Sequence, residues 1–130
     1  MRGLASVLAI AVVLAVPAPV PGAEAGEDAG REIAALIEAV GASGCRFQRN
    51  GRWHPSTAAQ SHLQRKLATA RRRGLDGDAE TFIDSIASRS STSGQPYRVQ
   101  CADAPEQPAA DWFRAQLQRL RASDSSQTRR

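Results

Sequence analysis

The stretch "CRFQRNGRWH", Cys45 to His54, decides the fold. Asn50-Gly51 is the strongest two-residue signal for a type I′ hairpin turn, whose central residues both need a positive φ. Ahead of the turn, Cys45, Phe47 and Arg49 alternate with Arg46 and Gln48, so the two sets lie on opposite faces of a strand. Cys45 and Phe47 are expected to face inward and Arg46 outward. Trp53 is the inward candidate on the return strand, which Pro55 stops. A third strand is expected in "PYRVQC", where Tyr97, Val99 and Cys101 alternate with Arg98 and Gln100.

The chain has two cysteines, Cys45 and Cys101. In an exported chain an even, minimal count reads as one disulfide, the alternative being two buried thiols. Bonded cysteines hold their Cα atoms roughly 5.5 Å apart. A bond would therefore make the first and last strands neighbours and leave the first strand central in a small three-stranded antiparallel sheet.

Helical periodicity surrounds these strands. Ile33, Leu36, Ile37 and Val40 recur at i, i+3, i+4, i+7 on one face, and Gly41 is placed for a left-handed cap. After Pro55, Ser56 or Thr57 can cap a helix carrying Ala59, Leu63, Leu67 and Ala70 as a narrow apolar stripe. Arg71 to Arg73 suit its last turn and Gly74 its end. A short helix starting at Asp76 or Asp78 presents Phe82, Ile83, Ile86 and Ala87. The last helix takes Pro108 in its first turn, buries Phe113, Leu117 and Leu120, and puts Trp112 on its edge. The expectation is one α+β domain over residues 26–122 with about four helices, and a polar, disordered tail over 123–130.

The N-terminus carries a leader signal. Arg2 precedes the apolar run "LASVLAIAVVLAV", and "PAPVPGAEA" supplies small residues for cleavage after Ala23 or Ala25. Residues 1–25 therefore read as a signal peptide and the protein as periplasmic. An uncleaved anchor is the alternative, but the run falls short of the roughly 20 apolar residues of a membrane-spanning helix. The net charge is +4 and the chain's sole lysine is Lys66. That balance weakly favours anionic envelope surfaces such as phospholipid or lipopolysaccharide head groups. "RRR" at 71–73 reads as a solvated helix end rather than a nucleic-acid contact, because no aromatics are interleaved with it.

Chemistry would centre on "SRSSTSGQPY", Ser88 to Tyr97, where five hydroxyls fill six positions from Ser88 to Ser93. Such a run connects a helix to a strand, its hydroxyls satisfying orphan carbonyls and shaping turns. It could also form a polar cleft with His62 and Lys66, which stand four apart on the flank of their helix. His62, Lys66, Ser88, Ser90, Ser91 and Ser93 are thus the candidate polar site, suited to a phosphate, a carboxylate or a sugar hydroxyl. A small hydrolase using His62 as base and a serine of Ser88–Ser93 as nucleophile is the alternative. Asp84 is the available acid, with no spacing that ties it to His62. No G-x-S-x-G elbow, S-x-x-K motif, metal-ligand spacing or phosphate-binding glycine loop is present, so neither a metal nor a cofactor is expected.

Taken in order, "GCRFQRNGRWH", "HLQRK", "AETFIDSIASRSSTSGQPYRVQC" and "DWFRAQLQRLR" resemble the YfeK-like family, domain of unknown function 5329. The resemblance covers almost the whole expected domain. Its hairpin motif falls on Arg49, Asn50 and Gly51, and its helix motif on His62, Leu63 and Lys66. Its helix-to-loop motif falls on Phe82 and Ile83, then Ser88, Ser90, Ser91, Ser93 and Gly94, with Tyr97, Cys101 and Trp112 completing it. The resemblance implies a small exported protein of Gram-negative bacteria and supplies no mechanism. A non-enzymatic binding or interaction module of the cell envelope is therefore the leading expectation, its partner an envelope protein or an anionic envelope component.

Overall fold

The computed structural model describes residue 3 and residues 9–18, 21–75 and 77–130, with only the backbone described for 21–25. Part of the expected leader, and Asp76, lie outside the described residues. Residues 9–18 form no regular element, and Ile10, Val12, Val13, Leu14 and Val16 are exposed. No helix among the described residues is long and apolar enough to cross a membrane.

The elements run α1 (Pro21–Ala42), β1 (Arg46–Arg49), β2 (Arg52–Pro55), α2 (Ser56–Arg72), α3 (Ala79–Phe82), β3 (Arg98–Gln100), β4 (Gln107–Pro108) and α4 (Ala109–Thr128). Helix α3 widens into a π-helical turn over Ile83–Ala87. The fold is α+β, and its antiparallel sheet has the order β2-β1-β3-β4. β1 is central between β2 and β3. β4 makes the sheet four-stranded rather than three-stranded. It is a two-residue edge carrying Pro108, positions where a ladder tolerates proline, and it gave no periodic signal of its own.

Register follows from the turn. Asn50 and Gly51 both take positive φ, so Arg49 pairs with Arg52, Gln48 with Trp53 and Phe47 with His54. His54, not Trp53, shares the Phe47 face. Trp53 lies on the opposite face, where the Arg46 guanidinium sits 5.3 Å from its ring centroid. Between β1 and β3, Phe47 pairs with Val99. Extending that register by two residues in each direction sets Cys45 against Cys101 and Arg49 against Tyr97. Cys45 and Cys101 form a disulfide with Cα atoms 4.3 Å apart.

The helices cover the Phe47 face. Ile33, Leu36, Ile37 and Val40 of α1, Leu63 of α2, Phe82 and Ile83, and Phe113 and Leu117 of α4 are buried in one core with Phe47, Tyr97 and Val99. Trp112 is buried too rather than lying on an edge, its ring packing edge-on against Phe47 at 5.4 Å and against Phe113 at 5.1 Å. Burying aromatics of this size contributes about 2–3 kcal/mol each by transfer, which is how a small core holds its sheet.

Three helix ends differ from expectation. Gly41 stays helical, with the flexible end of the Gln60 side chain lying where a Cβ would be, and the left-handed glycine is Gly44. Ser56 is the first residue of α2, and its hydroxyl donates to Gly41 O at 3.3 Å instead of capping. Helix α4 continues through the stretch expected to be a disordered tail, to Thr128. No glycine or proline interrupts that stretch, and Ser123, Ser125, Ser126 and Thr128 each donate to the carbonyl four residues back. Asp78 caps α3 by accepting from Thr81 N.

Candidate functional site

The β1–β2 turn, the first half of α2 and the loop after the π-helical turn meet at one end of the sheet. Helix α2 brings His62 and Lys66 there, one turn apart on the flank of buried Leu63. The sheet contributes Arg49 and Tyr97 from its inner face. A chain of polar contacts links the four. Arg49 Nη1 lies 2.5 Å from Nδ1 and 2.9 Å from Nε2 of His62. Nε2 lies 3.4 Å from Tyr97 Oη, which accepts from Lys66 Nζ at 3.0 Å. A neutral imidazole accepts at one nitrogen and donates at the other. Whichever nitrogen carries the proton, the Arg49 guanidinium can donate to the other, and the ring is held between Arg49 and Tyr97.

Lys66 spends its three donors within the protein. Besides Tyr97, it donates to Ile86 O and Arg89 O, both at 2.7 Å. Ile86 O belongs to the π-helical turn, whose end leaves carbonyls without intrahelical partners. A cation suits that end. Burial, and then the Arg49 charge, lowers the Lys66 pKa from 10.5 to about 8. His62 falls from 6.5 to about 4, through burial first and then the charges of Arg49, Lys66, Arg65 and His54. The imidazole is therefore neutral at pH 7. Burial raises the Tyr97 pKa, so its phenol keeps its proton.

The serine loop divides. Ser88 is buried and donates to Asp84 O at 3.2 Å. Ser90, also buried, accepts from Thr92 N and Ser93 N, which folds the loop over itself. Ser93 donates to Asn50 Oδ1 at 2.8 Å and ties the loop to the hairpin tip. Gly94 takes a φ of 73°, and Tyr97 N donates to Ser88 O at 2.8 Å. Ser91 is exposed, and its hydroxyl has no partner among the described residues. His62, Lys66, Ser90 and Ser91 thus share a recess of about 330 Å³ with Arg49 and Tyr97. Ser88 lies beneath it and Ser93 beside it. Against a nucleophile–base pair, no serine hydroxyl among the described residues bonds His62, and Asp84 pairs with Arg114 at 2.8 Å.

The recess wall is basic. Arg49, Arg52 and Lys66 line it with two histidines and no carboxylate. Arg49 forms no ion pair among the described residues; its nearest partner is a neutral ring. Arg49 and Tyr97 were missing from the candidate set, yet alternation alone places both on the Cys45–Phe47 and Val99–Cys101 faces. A second cavity of about 120 Å³ opens behind the recess, reaching Phe47, Ala59, Leu63 and Phe113, and shares Arg49, His54, His62 and Tyr97 with it.

Comparison with known proteins adds a family and no activity. The model of a family of unknown function, DUF5329, matches residues 27–121. A curated relative, the uncharacterized protein YfeK of Salmonella typhimurium, is 51% identical over 51 residues, 39% of this chain and 41% of that protein. The matched segment thus spans less than half the length of that relative. No solved structure matches the chain.

Proposed function

The chain belongs to the DUF5329 family of unknown function, and from that premise we propose that it is an exported, non-enzymatic binding module of the cell envelope whose ligand is anionic. The observation that carries this reading is the recess where Arg49 meets a neutral imidazole instead of a carboxylate. A guanidinium in a partly desolvated recess favours an anionic partner, and Arg matches carboxylate and phosphate oxygens with two parallel donors. Lys66 adds positive charge from behind while its donors hold the loop. Ser91 offers a free hydroxyl on the rim.

Export is part of the proposal. The disulfide suits an oxidising compartment, and the exposed apolar side chains of residues 10–16 support a leader that makes no part of the core. Residues 26–122 would be the working domain. The hydrolase alternative loses ground on chemistry: a histidine with a pKa near 4 is a poor base at neutral pH, and its nitrogens face Arg49 and Tyr97.

Native mass spectrometry of protein released from the periplasm tests the reading. The expected species begins near Gly26, has lost two hydrogens to the disulfide, and carries an acidic small molecule that dissociates in high salt. Protein that begins at Met1, or that binds no anion, would overturn it.

A further inference from the structure

We infer that the ligand is an amphiphilic carboxylate, its head group on Arg49 and a compact apolar group in the adjoining cavity. This rests on the anion-binding reading and narrows its ligand class. The two cavities are not independent, because Arg49, His54, His62 and Tyr97 form the wall common to both. On one side of that wall lie Arg52, Lys66 and Ser91; on the other lie Phe47, Leu63, Ala87 and Phe113. Gln48 and Arg65 also line that second cavity, so a molecule spanning the junction meets cations at one end and a largely apolar surface at the other.

The size of the inner cavity bounds the apolar part. At about 120 Å³ it is a little smaller than the ~150 Å³ apolar cavity that accommodates benzene. It therefore suits about four to six carbons rather than a long acyl chain. The head group is bounded by donors. Arg49 directs Nη1 to His62, and its Nε and Nη2 make no hydrogen bond among the described residues. That edge presents two parallel donors, the arrangement a carboxylate accepts in bidentate fashion. Lys66 has no donor left to give, so it and Arg52 add positive charge around the head group while Arg49 supplies the directed donors. Tyr97 Oη accepts from Lys66 at 3.0 Å and lies 3.4 Å from His62 Nε2, which sets the phenol at the junction.

The test is a homologous series of sodium acetate, butyrate and hexanoate, with inorganic phosphate as a probe lacking an apolar part. Each is titrated into ¹⁵N-labelled, disulfide-bonded protein and followed by NMR. Each buried methylene is worth roughly fourfold in affinity, so butyrate is expected to bind at least about tenfold tighter than acetate and hexanoate tighter again. Amides around Phe47, Ala59, Leu63 and Ala87 should shift with chain length. Ala58 is exposed at the edge of the same cavity, and Ala58→Leu should remove the dependence on chain length. If acetate, hexanoate and phosphate bind with equal affinity, the apolar assignment falls while the anion site stands. The same holds if shifts spare the inner cavity, a readout that needs no variant. If none of the four binds, the anion site fails and this inference with it.

Discussion

Replacing both Cys45 and Cys101 by alanine opens a ring whose ends are 56 residues apart. In the chain-entropy treatment, closing a ring of that length removes about 14 cal/mol/K from the unfolded ensemble, or ~4 kcal/mol at 25 °C. The bond clamps the end of the β1–β3 ladder, which among the described residues alone connects the hairpin to the rest of the sheet, so its loss also frees the pairing that places Arg49 beside Tyr97. Deleting the buried Cys45 sulfur adds about 1 kcal/mol for lost packing. For a domain of about a hundred residues each kcal/mol shifts Tm by roughly 4–8 °C, so Tm should fall by about 20–40 °C. The assay is urea unfolding followed by circular dichroism, with thermal scans alongside. The slope of free energy against urea should rise in the variant, because an uncrosslinked unfolded chain exposes more surface. A loss below about 1 kcal/mol, with an unchanged slope, would refute the reasoning: the ring would then restrain nothing that the unfolded chain lacks.

Lys66→Met removes three charge-assisted donors and leaves Ile86 O and Arg89 O without their partner, so urea unfolding should show a loss of about 2–4 kcal/mol. Ser91→Ala, on an exposed hydroxyl without a protein partner, should change stability by no more than about 0.5 kcal/mol in the same assay. His62 gives a pH signature: the unfolded chain takes its proton near 6.5 and the folded protein near 4, so the unfolded state binds more protons between those values. Stability should therefore fall as pH drops from 6.5 towards 4 and then level off. The expected loss is on the order of 1–2 kcal/mol after solvent screening, and His62→Gln should remove it.

Much of this architecture is legible because two local signals agree. The Asn50-Gly51 turn fixes the hairpin register, and the alternation of Cys45 with Phe47, matched by Val99 with Cys101, orients two strands toward one core. The same parity rule, carried across the turn, puts His54 inward and Trp53 outward, against the expectation that Trp53 faces the core. Trp112 depends on how helices approach one another, which periodicity within one helix does not encode. β4 is too short to have a period. At the site, His62, Lys66 and the serine run announce themselves by residue type. Arg49 and Tyr97 do not, since an arginine beside a turn and a tyrosine in a strand read as rim and core. Their meeting depends on the β1–β3 register that the disulfide holds.

The proposed function stands on Arg49 holding an anion in the basic recess. Titrating the disulfide-bonded protein and its Arg49→Gln variant with sodium phosphate, followed by ¹⁵N NMR, is the decisive measurement. The account predicts saturable shifts clustered at Arg49, His62, Ser91 and Tyr97. It also predicts at least about tenfold weaker binding in the variant, the equivalent of one charge-assisted hydrogen bond. Shifts that never saturate, or equal affinity in both proteins, would contradict it.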